Sequence, residues 1–163
     1  MSRLVTWYSH AARALARLDG VVLLAVRVTL GAVFVESGWG KLHNLEQVIG
    51  FFTDLGIPAP RLQAPFVAGS ELVFGALVLA GALTRLAVMP IVIMMVVAIA
   101  TARRADLGGA GDLFGFIEYL YIALALVLAT RGAGPWSADA LAGRLALRRG
   151  RELRAGEVAA ARS

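Results

Sequence analysis

Four apolar runs limit what this chain can fold into more than any other feature. They cover Gly20 to Trp39, about Ala64 to Leu83, Leu86 to Ala102, and about Leu113 to Thr130. Crossing a hydrocarbon core of about 30 Å takes about 20 helical residues. The third run, LAVMPIVIMMVVAIATA, is compact but uninterrupted, and its Pro90 lies in the first turn or just past it, where the helix kinks mildly at most. Backbone amides find no water in lipid, so a spanning segment is either a helix or a strand of a closed barrel. Length and spacing predict an all-α fold, an integral membrane four-helix bundle with short interfacial helices. Composition agrees, with 59% hydrophobic and 17% charged residues against about half and about a quarter in soluble domains.

The segments between the runs divide the chain into three parts. Over residues 1–19, Leu4, Trp7, Tyr8, Ala11, Leu15 and Leu18 share one helical face, and Arg3, Arg13 and Arg17 fall on the others. That pattern predicts a helix lying in the membrane interface. It is not expected to be a cleaved signal peptide, because the apolar run that follows is full-length and carries Arg27. The bundle itself occupies 20–135. Within it Asn44 to Leu55 places Leu45, Val48, Ile49, Phe52 and Leu55 at helical spacing, too short to span and suited to rest on the opposite membrane face. Gly56-Ile57-Pro58-Ala59-Pro60 then turns the chain back. Pro135-Trp136-Ser137 reads as a stop and restart, with Ser137 as N-cap. A basic tail fills 136–163.

Basic residues set the orientation. One side holds Arg3, Arg13, Arg17, Arg85, Arg131 and the tail arginines 144, 148, 149, 151, 154 and 162; the other holds Lys41, Arg61, Arg103 and Arg104. Both termini are therefore expected on the cytoplasmic face of the membrane. The net charge of +5 reads as orientation and contact with anionic headgroups, not as a nucleic-acid footprint, because no groove-reading motif accompanies it.

Ionisable residues inside the runs need a reason to be there, since a charge at the bilayer centre costs at least about 2.5–3.5 kcal/mol. They are Arg27 and Glu36 in the first run, Glu71 in the second and Glu118 in the fourth. Arg27, Gly31, Phe34, Gly38 and Lys41 form one helical stripe, whereas Glu36 points to the opposite side. Two cations, Arg27 and Lys41, are thus expected to face two carboxylates, Glu71 and Glu118, inside the bundle. Such a set serves either as a polar lock between helices or as a site for a proton or ligand. Tyr119 and Tyr121 add hydroxyls suited to a quinone carbonyl. Gly31, Gly69, Gly75 and Gly81 suit close helix approach. No cysteine is present, which excludes disulfides, thiolate metal sites and dithiol redox chemistry. Only His10 and His43 are available as imidazoles. No intrinsic cofactor or metal site is expected, so any redox role must borrow its cofactor, with quinone as the candidate.

The ordered series Arg27-x3-Gly31-x2-Phe34-x3-Gly38-x2-Lys41-Leu42, Gly50-Phe51-Phe52, Leu55-Gly56-Ile57-Pro58 and Ala68-Gly69-Ser70-Glu71-Leu72 resembles the DoxX family of small four-helix bacterial membrane proteins. Gly81, Thr84-Arg85-Leu86-Ala87, Glu118 and Gly134-x2-Ser137-x-Asp139 extend the likeness, which covers about 20–140. Members often carry histidine just before the Gly38 position, where this chain has Ser37, and Glu36 is unusual beside it. The family is functionally mixed. The resemblance implies small membrane subunits coupled to redox or sulfur chemistry done largely elsewhere. Examples are an archaeal thiosulfate–quinone oxidoreductase and a mycobacterial oxidative-stress complex with superoxide dismutase and a sulfurtransferase. The expectation is an accessory or anchor subunit of a redox complex, with protein partners and with Arg27, Lys41, Glu71, Glu118 and Tyr121 as site residues. A small proton-linked transporter, helped by homo-oligomerisation, and a purely structural anchor are the alternatives.

Overall fold

The computed structural model describes residues 7–8 and 18–160, with side chains as far as Arg151; the proposed interfacial helix over 1–19 lies almost entirely outside the described residues. Among the described residues from Asp19 on, seven α-helices follow in order: α1 (Asp19–His43), α2 (Leu45–Asp54), α3 (Pro60–Ala80), α4 (Thr84–Thr101), the single turn α5 (Ala110–Leu113), α6 (Ile117–Arg131) and α7 (Ala138–Ala160). No strand occurs among the described residues. The protein is an all-α membrane protein. Helices α1, α3 and α4 are each long and apolar enough to cross a bilayer.

α1, α3, α4 and α6 pack around Leu30, Phe34, Val78, Val88, Ile91 and Leu128, all at most 2% exposed. The outer faces are apolar too, with Val28, Phe66, Val73, Met89, Ile93 and Leu126 open. That is the pattern of a bundle solvated by lipid. α1 and α3 approach most closely because glycines line their seam. A Cβ on Gly31 would lie 2.7 Å from the Leu79 Cα, and one on Gly75 2.8 Å from the Val35 nitrogen. Gly69, expected to share that role, faces open space.

The helix ends follow local chemistry. α3 closes in a Schellman arrangement: Gly81, at φ +70°, donates to the Val78 carbonyl and Ala82 donates to that of Leu77. α2 keeps the expected stripe, with Leu45, Val48, Ile49 and Phe52 half-buried and Glu46, Gln47 and Asp54 exposed. Ser137 caps α7 as expected, its hydroxyl accepting from the Ala140 amide at 3.1 Å.

Two helices, α3 and α6, depart from the apolar runs in ways that bear on the site. α3 begins at Pro60, not Ala64, and ends before the left-handed Gly81. α6 begins at Ile117 rather than Leu113, because Phe114–Phe116 break the helix. Its 15 residues give about 22 Å at 1.5 Å per residue, short of a full crossing. That shift puts Glu118 in the first turn of the helix rather than within the span.

Candidate functional site

The four charges expected to converge occupy three separate places. Lys41 and Glu71 do meet. Lys41 stands one turn beyond Gly38 on α1, and Glu71 projects from the middle of α3. A Cβ on Gly38 would lie 2.4 Å from the Leu72 nitrogen and 2.7 Å from the Ala68 carbonyl oxygen, so only glycine lets the two backbones close there. That contact brings the Lys41 ammonium onto Glu71 Oε1 in an ion pair. Ser37 Oγ donates to the other carboxylate oxygen, Oε2, at 2.8 Å. Glu71 is 2% exposed, whereas the Lys41 side chain is 33% exposed. One carboxylate, one ammonium and one hydroxyl thus form a charge-balanced cluster with its cation at the accessible edge. Buried carboxylates persist when paired and hydrogen-bonded in this way. Ser37, a position where histidine was the comparison, proves to be part of the site; nothing in its spacing separated it from an ordinary small residue.

Arg27 is not part of that cluster. It is 5% exposed and lies near the other end of α1. Nη1 donates to the Ala133 carbonyl at 3.2 Å and Nη2 to that of Trp136 at 2.7 Å. The guanidinium lies against Gly81, where a Cβ would come within 2.5 Å of Nη1. Around it, the Asp139 amide donates to the Gly81 carbonyl at 2.9 Å. The Asp139 carboxylate accepts from the amides of Leu83 at 2.7 Å and Thr84 at 3.1 Å. Those bonds hold Leu83 at φ +48°, a left-handed conformation that non-glycine residues adopt at a cost. A planar fork of donors suits several carbonyls at once. Arg27 therefore ties the 132–137 segment to α1, and Asp139 ties α7 to the start of α4.

Glu118 pairs with neither Arg27 nor Lys41. Its Oε1 accepts from Arg103 Nε at 3.1 Å, and Arg103 also lies over the Phe116 ring, 5.7 Å from its centre. Arg103 is one of the four basic residues on the Lys41 side, and its spacing alone does not mark it as a partner for Glu118. Oε2 of Glu118 is buried without a hydrogen-bond partner among the described residues. Tyr121 packs edge-on against Phe34 at 5.7 Å, and Tyr119 against Phe114 at 5.1 Å, so both rings serve packing. Glu36 is exposed on the outward face of α1, opposite the stripe, as the helical geometry required.

No group of three or more His, Asp or Glu side chains able to hold a metal occurs among the described residues. Chemically, the Ser37–Lys41–Glu71 cluster offers the remaining N–H donors of the Lys41 ammonium beside a carboxylate whose two oxygens are both engaged. The Arg27 cluster offers backbone contacts at both terminal nitrogens, while Nε is buried without a partner among the described residues.

Comparison with known proteins places this geometry in a family. No solved structure matches the chain. An uncharacterized membrane protein of Mycobacterium tuberculosis is 35% identical over 128 residues, covering 72% of this chain and 78% of the relative. A Bacillus subtilis protein named "putative oxidoreductase CatD" is 30% identical over 111 residues, covering 68% of this chain and 78% of the relative. The DoxX family model matches residues 22–104, a shorter stretch than the 20–140 over which the motifs run. It takes in Arg27, Ser37, Lys41 and Glu71, and the chain belongs to the DoxX family.

Proposed function

We propose that this protein is a membrane-embedded accessory subunit of an oxidoreductase complex, with Ser37, Lys41 and Glu71 as the polar site in its bundle. The observation that carries the reading is a carboxylate 2% exposed, held by one ammonium and one hydroxyl, in a setting where charge is costly. A quinone headgroup presents carbonyl oxygens that accept hydrogen bonds and take up protons with electrons. Lys41, an ammonium with N–H donors beyond the one on Glu71, is the donor for such an oxygen, and Ser37 and Glu71 fix its position. The cysteine-free chain leaves electron transfer to a bound quinone or to a partner protein. The name of the Bacillus relative, an oxidoreductase in words, supports that class. Both termini face the cytoplasm in this reading, where the basic tail meets lipid and partner.

The test is purification in native lipid, solvent extraction of bound quinone, and identification of co-purifying proteins. A retained quinone that is lost in E71Q, together with a redox protein among the partners, is the expected result. If no quinone is extracted and added quinone leaves thermal stability unchanged, the quinone site is wrong; if no redox protein co-purifies, the subunit role is wrong. One observation favours a structural anchor as the second reading: Lys41 and Ser37 already occupy both Glu71 oxygens. That reading expects E71Q to lower yield while the partner's activity per assembled complex stays constant.

A further inference from the structure

At the end of the bundle away from Lys41, α4, α6 and the 132–137 segment enclose an open cleft of about 650 Å³. Arg85 and Arg131 stand at its rim, both exposed. Each makes one polar contact among the described residues: Arg85 Nη2 donates to the Thr130 carbonyl at 3.2 Å, and Arg131 Nη1 donates to Asp19 Oδ2 at 2.7 Å. A guanidinium carries five N–H donors, so both retain donors facing outward. Asp139 also lines the cleft, but its two oxygens are turned to the amides of Leu83 and Thr84. Arg144 reaches the adjoining Pro135 carbonyl at 3.2 Å and adds positive charge.

The cleft is not a plain anion pocket. Leu83 and Leu86, which line it, are 61% and 69% exposed. Leu86 begins a row of open apolar side chains, continued by Met89 and Ile93, that runs down the lipid-facing side of α4. Trp136, also exposed, marks the level at which aromatic side chains settle among headgroups. Two cations above a row of open apolar side chains match a molecule with a phosphate at one end and acyl chains at the other. A free phosphate would gain nothing from the apolar row.

We propose that this cleft is a binding site for an anionic phospholipid, with Arg85 and Arg131 on the phosphate and the Leu86–Met89–Ile93 row along an acyl chain. It is independent of the Ser37–Lys41–Glu71 site and of the redox reading. Basic pockets between membrane helices recognise anionic headgroups in this manner. Each arginine near a charged headgroup contributes about a 5-fold gain in affinity.

The experiment uses the full-length protein in detergent, titrated separately with phosphatidylglycerol, phosphatidylcholine and inorganic phosphate while thermal stability is followed. Phosphatidylglycerol is expected to raise the midpoint saturably, and the other two are not. R85Q/R131Q is expected to need at least about 10-fold more phosphatidylglycerol for the same shift. R148Q/R149Q/R151Q, which removes more charge from α7, is expected to respond as the wild type does. Equal responses to both lipids, a shift from phosphate alone, or equal losses in the two variants would each overturn the proposal. Should R85Q/R131Q fail to fold, photocrosslinking decides on the unaltered protein. A photoactivatable phosphatidylglycerol must then label peptides spanning 83–93 and 130–136; labelling confined to α7, or spread evenly over the lipid face, overturns the site.

Discussion

Arg27 and Lys41 share one stripe of one helix, about 21 Å apart along its axis, yet they meet opposite kinds of partner. Lys41, a compact ammonium at an accessible edge, neutralises the buried carboxylate of Glu71. Arg27, nearly enclosed, spends its donors on the backbone carbonyls of Ala133 and Trp136. Each rests on a glycine that admits a close neighbour: Gly38 lets α3 approach beside Lys41, and Gly81 leaves space for the Arg27 guanidinium. The difference teaches that a charge in a membrane helix is not evidence of a site. Where a cation saturates carbonyls it works as a fastener. Where it balances a buried carboxylate, as Lys41 does from an accessible edge, the contact is a pair of opposite charges rather than a backbone tie.

The comparison breaks most completely at Gly38. In G38V the new side chain meets the α3 backbone on both sides, at the Ala68 oxygen and the Leu72 nitrogen, and neither can move alone. We expect a loss of about 4 kcal/mol or more, read as failure to accumulate in membranes, or as a collapsed melting midpoint in detergent. Next comes the pair itself. K41M leaves Glu71 buried and uncompensated, at a cost of about 3–5 kcal/mol. Adding E71Q, which keeps an acceptor for the Ser37 hydroxyl, should restore most of that loss. A K41M/E71Q double variant as unstable as K41M would show that the charges are not coupled and would remove the basis of the site.

The sequence exposed one half of this contrast better than the other. Apolar run lengths placed α1 and α4 within a few residues, and helical spacing put Lys41 inward and Glu36 outward. Lys41 and Glu71 were legible only as members of a set of two cations and two carboxylates, because opposite charges attract but their spacing does not say which pair will meet. Arg27 was misassigned for a physical reason: its partners are main-chain carbonyls of a turn, and every residue has a carbonyl. Glu118 was misplaced because its depth depends on where α6 starts. The run from Leu113 to Thr130 stays apolar across a break that only the backbone path of Gly115 and Phe116 creates. The motif Gly134-x2-Ser137-x-Asp139 was visible as a pattern, but its job, docking α7 onto Gly81 and the start of α4, required the fold.

Arg27 supplies the third break. R27M removes the fork while leaving the stem's volume, and it strands two carbonyls beside Gly81. Loss of hydrogen bonds from a charged donor is expected to cost about 2–3 kcal/mol, measured as reduced thermal stability. Proteolytic cleavage should appear in the 132–137 segment, because that segment loses its tie to α1. Quinone content and partner yield per folded molecule should stay unchanged; a drop in either would move Arg27 from fastener to site.

The smallest effect sharpens the comparison at its third charge. Arg103 and Glu118 are a close pair like Lys41 and Glu71, but the Arg103 side chain is 42% exposed and that of Glu118 14%. Water competes for the guanidinium, and Asp106, 3.7 Å away, offers it another carboxylate. A double-mutant cycle over R103Q and E118Q should therefore give a coupling below about 1 kcal/mol, weakened by salt. The cycle over K41M and E71Q should exceed it several-fold and respond less to salt, since buried charges are poorly screened. If the two couplings proved equal, burial would not be what separates these pairs. Glu118, with one buried oxygen unpartnered among the described residues, would then compete with Glu71 as the carboxylate of the polar site.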